Sequence, residues 1–583
     1  MEAERNQARN QKRSQERTEA RSETSIDALK AFAACGRYRQ APLVRRIQLD
    51  TSPVDVLRQL KRISSHSFLL ESADLSSRKS ADLSSRKSAD LSSRKSADLG
   101  SRGRYSFLGF DPKLEIYCKQ GHMRVGDLEI ETDNPAQVIR QILHEHTSPH
   151  IPGLPSFCGG LVGYFSFEFL GYQETTIAAQ KHITGDFRDV DLMLFDHVIA
   201  FDHLTHEIIL IAQVAFDHLE TNYRKALHEI DDLQRLIEVS VEEAEKASTG
   251  ATASTDTGTN ANAGARTSIP AHESAGRITG PVSATHDKQG FCEMVRKAKA
   301  HITEGDIFQI VLSNRLSAPY QGNLMSTYEA LKAINPSPYM FYFSGDDLEI
   351  AGASPETLVK LENNILHTYP LAGTRRRGST PAEDKALEQE LLSDEKELAE
   401  HNMLVDLGRN DLGKVCDFGT VKVEQLHTIE RFSHVMHIGS AVRGRIAQDK
   451  DALDAILSTM PAGTLSGAPK ISACRLIAQL EGVRRGIYGG AIGYIDFDGN
   501  MDTCIGIRLV YKKDGQIFVH TGAGIVADSD PEKEYEECFN KAKSSLAAIQ
   551  MDADASASIH AAVHADPHAA ARAKGGLDAS LNR

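Results

Sequence analysis

Between Ser106 and Phe216 apolar and polar residues alternate in short runs, among them 114–117 (Leu-Glu-Ile-Tyr), 193–195 (Met-Leu-Phe) and 208–211 (Ile-Ile-Leu-Ile). Short apolar or alternating runs of this kind read as strands. The period then changes. Tyr223, Leu227, Ile230, Leu233 and Ile237 recur at steps of three and four, which lays one apolar stripe along a helix. The run Asp50-Thr-Ser-Pro53 puts capping residues ahead of a proline and predicts a helix start.

These patterns divide the chain. Residues 1–40 are charged and expected to be disordered, and a first ordered block spans 41–244. Residues 245–285 turn to Ser, Thr, Ala, Gly and Asn, a flexible-linker composition. A second block spans 286–550, and the Ala-, His- and Asp-rich stretch 551–583 is expected to be a disordered tail. Within the first block the octapeptide Ser-Ala-Asp-Leu-Ser-Ser-Arg-Lys repeats three times from Ser72, with a degenerate fourth copy from Ser96. One Leu per copy cannot build a core, so residues 72–103 read as an expanded surface loop. Loop growth is cheap, at about 0.6 kcal/mol of closure entropy per doubling.

Length and composition narrow the function. A chain of 583 residues is too long for one compact core, and 41% apolar with 25% charged residues is an ordinary globular balance. The net charge of −14 argues against a nucleic-acid binder. No apolar run approaches the roughly 20 residues of a membrane span. The first 23 residues match neither a secretory signal nor a transit peptide. Eight scattered cysteines without a C-x-x-C pair argue against zinc, iron–sulfur or disulfide frameworks, and a reducing cytoplasm is the expected compartment.

Two segments could carry chemistry as helices. In the first, helical spacing sets Glu397, Glu400 and His401 on one face with Leu404 continuing the stripe; in the second, Glu534, Glu537 and Lys541 share a face. Carboxylates from two helices suit a hard divalent cation such as Mg²⁺, although such spacing is also common on solvated helices. Glycines at 463, 467, 489–490, 522 and 524 would let backbone N–H groups approach an anion. Arg508 lies among apolar neighbours on an expected strand, where it needs a carboxylate partner from protein or substrate. Neither P-loop nor dinucleotide-fold glycine spacing is present.

Thirteen segments in order carry a resemblance: FLLES (68–72), RYSFLGFDP (104–112), GGLVGYFSFE (159–168), GDIFQIVLSNR (305–315), NPSPYMFYF (335–343), GASPE (352–356), LAGTRRRG (371–378), KELAEHNMLVDLGRND (396–411), SHVMHI (433–438), GTLSGAPK (463–470), YGGAIGY (488–494), DTCIGIR (502–508) and TGAGIVADSDPEKEYEE (521–537). Over about 43–550 the chain resembles the chorismate-utilising enzymes, and among them the large subunits of anthranilate synthases. The resemblance implies an α+β fold, with large antiparallel sheets in a sandwich and helices packed outside. It also implies conversion of chorismate and ammonia to anthranilate and pyruvate.

Discriminating positions sharpen this. Where water-adding relatives carry a lysine base, this chain has Gln309, whose amide cannot take up a proton at neutral pH. Where aminodeoxychorismate synthases carry a nucleophilic lysine, it has Ala372. Aminodeoxychorismate synthesis, or a non-catalytic tryptophan-sensing subunit, are the alternatives. Arg376 stands where the family has proline.

The resemblance implies Glu400 and Glu537 as Mg²⁺ ligands, supported by Glu397 and Glu534. It implies Arg508, Tyr488, Lys541 and the backbone of Gly522, Ala523 and Gly524 for the enolpyruvyl carboxylate, with Gly373 and Thr374 at the ring. Glu356 would be the general acid, His437 would serve the elimination step, and Thr464 would position the ring or His437. A tryptophan feedback pocket is implied at Glu71, Ser72, Pro338, Tyr339 and Met340. No Gly-x-Cys-x-Gly nucleophile elbow is present, so a separate glutamine amidotransferase subunit is expected to deliver ammonia within a hetero-oligomer.

Overall fold

The computed structural model describes residues 21–22, 24–72, 103–178, 185, 187–248, 276–432 and 435–550. The octapeptide copies after Ser72, the tail 551–583 and most of the linker lie outside these residues.

The strands form two large antiparallel sheets, of 14 and 12 strands among the described residues. Each sheet has one seam between the two sequence blocks. In the first, Ser67–Glu71 pairs with Tyr339–Ser344, setting Leu70 opposite Phe341. In the second, Gly160–Phe165 pairs with Ala491–Asp496. The blocks 41–244 and 286–550 are therefore not separate structural units, because pairing across the seam satisfies backbone groups that two half-sheets would leave open at an edge. The octapeptide run connects Ser67–Glu71 to Tyr105–Phe110, which are neighbouring antiparallel strands.

The inner faces meet in an aromatic layer that includes Phe68, Phe341, Tyr164, Phe195 and Tyr494. Phe68 and Phe195 meet edge to face at 4.8 Å, a geometry that adds about 0.5–1.5 kcal/mol beyond area burial. Helices cover both outer faces. Pro53–Ile63, Leu219–Ser248, Met325–Ile334 and Pro531–Gln550 lie on the first sheet, and Pro135–Glu145, Glu395–Gly413 and Ala452–Thr459 on the second. This is the α+β sandwich expected from the resemblance.

Local chemistry sets the helix starts. Ser52 caps Pro53–Ile63 by accepting from Asp55 N, and the 223–237 stripe lies inside Leu219–Ser248 with Ile230, Leu233 and Ile237 buried. Two expectations of irregular structure are corrected. Residues 1–40 include the helix Ile26–Ala34, anchored by the Ser25 cap and the buried Leu29. The linker's last residues form short strands, Arg277–Ile278 and Ser283–Ala284, that pair with Gln309–Gln321.

Candidate active site

Two helices from different parts of the chain present the glutamates. Asp394 caps Glu395–Gly413 by accepting from Lys396 N and Glu397 N, and the helix packs on the strands Leu371–Arg376 and Val435–Arg445. The helix Pro531–Gln550 lies along Gln516–Ile525. Burial, then the charges of Glu397 and Glu537, push the Glu400 carboxyl above its usual range. Glu534 is raised by burial and by Glu537. The four predicted ligands therefore share one field. Glu537 is paired with Lys541 at 2.8 Å, and Glu397 with Arg375 at 3.3 Å.

No three of these carboxylates gather within 4.8 Å; among the described residues only His301, Glu304 and Asp306 do so. An oxygen-only set in mutual repulsion nevertheless fits a hard dication, which takes one or two carboxylates and keeps waters. One sequence expectation is corrected. His401 does not share the face of Glu400: its ring is fully buried, with Nε2 2.6 Å from Ser440 Oγ, and it sides with Leu404 in the core.

Arg508 is not in a strand. It occupies the turn between Met501–Ile505 and Leu509–Lys513 with φ +52°, which breaks the ladder and turns its side chain toward Pro531–Gln550. Its hydrogen bond there goes to Lys541 O at 3.4 Å, and no acidic partner reaches it among the described residues. Burial lowers its pKa, with Tyr488 opposing. A half-buried guanidinium without a carboxylate is a ready seat for a carboxylate ligand. Gly522 faces Tyr488: a Cβ there would lie 2.7 Å from Leu312 O and 2.8 Å from the Tyr488 hydroxyl. Lys541 Nζ donates to Gly522 O at 3.0 Å. A Cβ at Gly524 would lie 3.5 Å from the Gln309 amide nitrogen, and Ala523, between the two glycines in sequence, is buried.

The two proposed proton-transfer groups differ in environment. Glu356 follows the strand Leu348–Ser354 and accepts a hydrogen bond from Thr464 Oγ1 at 3.2 Å. Burial raises its pKa to about 8, with the Thr464 bond opposing, so it is mostly protonated at neutral pH. It lines a small cavity of about 40 Å³ with Thr464, Gly408 and Asp411, room for about two waters. His437 sits opposite Thr374 across the Leu371–Arg376 and Val435–Arg445 strands. Its Nδ1 lies 2.9 Å from Gly373 O and 3.1 Å from Thr374 Oγ1. A carbonyl only accepts, so Nδ1 carries the proton and a neutral ring leaves Nε2 as the base. Burial lowers the His437 pKa, against the Gly373 bond, and Arg508 lowers it further. Gly373 holds φ +65°, and a Cβ there would meet Glu397 Oε2 at 3.2 Å, which links this strand to the glutamate cluster.

The sequence pattern of the chorismate binding enzymes matches residues 93–547. The chain belongs to the chorismate binding enzyme family. Anthranilate synthase component 1 of Acetivibrio thermocellus is 44% identical over 452 residues, 77% of this chain and 87% of that protein. Its counterpart in Aquifex aeolicus is 38% identical over 523 residues, 88% and 95% of the two chains. The crystal structure of anthranilate synthase component I from Streptococcus pneumoniae matches with a TM-score of 0.63 and 34% identity, covering 79% of this chain and 94% of that one. The menaquinone-specific isochorismate synthase of Escherichia coli, 17% identical with a TM-score of 0.59, covers 90% of this chain and 99% of that one and shares the fold.

Away from these groups this family member carries a second cavity, of about 450 Å³, between the sheets; Glu71, Ser72, Pro338, Tyr339 and Met340 all line it. Two paired strands form part of its wall: Tyr339–Ser344 pairs with Ser67–Glu71, Met340 opposite Glu71. The Glu71 carboxylate is held by Lys332 at 2.8 and 2.9 Å and by the Tyr328 hydroxyl. Tyr339 donates to Asp502 at 2.8 Å.

Sequence reasoning passed over several partners. Arg375 binds Glu390, Asp394 and Glu397, and its signal was the Arg375–Arg377 run before an acidic helix. The exposed Arg376 pairs with Glu383. Lys470 and Asp411 form a buried pair at 2.7 Å behind Glu356, which no spacing rule reveals.

Proposed function

We propose that the chain is an anthranilate-forming lyase, the component 1 activity for which its relatives are named. Chorismate would enter with its enolpyruvyl carboxylate on Arg508, Tyr488, Lys541 and the Gly522–Gly524 backbone, and its ring beside Gly373 and Thr374. The observation that carries the reading is the Glu356 carboxyl, kept protonated at neutral pH by burial and held by Thr464. It would protonate the departing C4 hydroxyl while ammonia forms a bond at C2, and Gln309 offers no base for water in ammonia's place. In the second step His437 Nε2 would remove the C2 proton, pyruvate would leave, and the ring would aromatise.

Glu400 and Glu537, backed by Glu397 and Glu534, would hold Mg²⁺, which would supply positive charge for the ring carboxylate. Ammonia would come from glutamine through a separate amidotransferase subunit, in the cytoplasm. The 450 Å³ cavity would take L-tryptophan as feedback inhibitor; its aromatic and methionine walls suit an indole, and Glu71 suits an amino group.

The test is a fluorescence assay with chorismate, Mg²⁺ and ammonium salt at alkaline pH, with and without tryptophan. Equal amounts of anthranilate and pyruvate, suppressed by tryptophan, are expected. Chorismate consumption without either product would point to aminodeoxychorismate synthesis instead.

A further inference from the structure

The Arg485 side chain heads the largest fully buried side chains, at 1% exposure. Its guanidinium forks onto Glu481, with Nε to Oε2 at 2.9 Å and Nη2 to Oε1 at 2.5 Å. Its remaining donors leave the pair. Nη1 donates to Leu465 O at 2.6 Å, in the turn Gly463–Leu465 that carries Thr464. Nη2 also donates to Val311 O at 2.7 Å, on the strand that begins at Gln309 and sets Val311 opposite Gly524. Glu481 Oε1 accepts from both N and Oγ of Ser313, the residue opposite Gly522. Ser313 Oγ lies 2.9 Å from His520 Nε2, and the His520 ring stacks on Tyr488 at 4.3 Å and 19°. The guanidinium also sits 5.7 Å from the centre of the Tyr488 ring.

One buried ion pair thus ties together the turn that carries Thr464, the strand opposite Gly522 and Gly524, and the Tyr488 ring. We infer that Arg485, locked by Glu481, is a positioning residue that fixes the Thr464–Glu356 acid relative to the carboxylate seat formed by Tyr488 and the Gly522–Gly524 backbone. Core stabilisation alone needs no such arrangement, since a buried pair is often matched by apolar side chains of similar size. A planar fork with five fixed donors can hold two backbone carbonyls and one carboxylate at set angles; an ammonium, a single compact charge, cannot. The inference rests on the proposed reaction, whose rate depends on placement of the acid within about an ångström.

The experiment compares kcat and KM for chorismate, with ammonium as nitrogen donor, in the unsubstituted chain, Arg485→Lys, Thr464→Ala and the double variant. Melting temperature is recorded for each. In Arg485→Lys we expect kcat to fall 10- to 100-fold with KM within threefold, and the same change in the Thr464→Ala background to cost less than threefold, the sign of two residues acting through one another. Unchanged kcat in a folded Arg485→Lys protein, or losses that multiply in the double variant, overturn the inference. If Arg485→Lys does not fold, Glu481→Gln, which keeps the side chain's size but removes the charge that locks Arg485, replaces it, and a kcat in the folded variant equal to that of the unsubstituted chain overturns the inference. If the unsubstituted chain forms no anthranilate, the proposed function fails and the positioning role with it, whereas normal turnover with an indifferent Arg485 sinks only the latter.

Discussion

The Thr464 hydroxyl donates to the Glu356 carboxyl at 3.2 Å, and that bond is the single influence found to oppose the burial that lifts the carboxyl pKa to about 8. Two consequences follow from one shift. A general acid must be protonated, so with free ammonia held constant the first step should weaken as pH rises through about 8. Glu356→Gln should lower kcat more than a hundredfold, and normal turnover in that variant would remove Glu356 from the chemistry. Stability moves in the same direction. The folded state favours protonated Glu356, so its contribution is complete below about 4.5 and lost as pH climbs to about 8. Chemical denaturation across pH 5 to 8 should show Glu356→Gln losing less stability than the unsubstituted protein.

His437 is expected to act after ammonia has added. His437→Met should retain chorismate consumption while an aminated, non-aromatic intermediate accumulates, measurable by chromatography and mass spectrometry. Because burial and Arg508 lower its pKa, the neutral base should persist below pH 6.5. Anthranilate output unchanged by the substitution would sink this role.

Glu537 stands partly solvent-exposed beside Lys541, so its loss should do little to folding. Glu537→Gln should raise the Mg²⁺ concentration needed for half-maximal rate at least tenfold and leave the melting temperature within a few degrees. A magnesium titration identical to that of the unsubstituted chain would reject it as a ligand.

Gly522 has no room for a methyl group, with backbone oxygen 2.7 Å from the position a Cβ would take. Gly522→Ala must displace the Gln309–Gln321 strand or Tyr488. We expect destabilisation of about 1–3 kcal/mol and a loss of kcat/KM well above tenfold, read by denaturant melts and steady-state kinetics. A variant with unchanged KM for chorismate would show that this backbone does not seat the substrate.

The chain itself contains no tryptophan, so added L-tryptophan can be followed by its own fluorescence. Glu71→Gln should weaken that binding at least tenfold and relieve inhibition in proportion, with kcat in the absence of tryptophan within twofold. Inhibition surviving unaltered would move the effector site elsewhere.

Much of this was written in local sequence. Periodicity marked the Leu219–Ser248 helix, and the Ser52 cap marked Pro53–Ile63, because these signals depend on residues within one or two turns. Glu537 and Lys541 were legible as a face for the same reason, being one helical turn apart. What spacing could not decide was orientation against the rest of the protein. Glu400 and His401 are adjacent, yet only the packing of Glu395–Gly413 on the second sheet sends one to the cleft and the other to Ser440. Arg508 read as a strand residue because its neighbours are apolar; its positive φ, set by the turn between two strands, is what points it at the site. The seams that merge the two sequence blocks join residues up to 336 positions apart, and the buried Arg485–Glu481 pair reaches Val311, 174 positions away. Hydrogen bonds and burial at that separation exist only after the chain has closed on itself, so the sequence determined the elements and their chemistry, and the tertiary structure decided which of them meet.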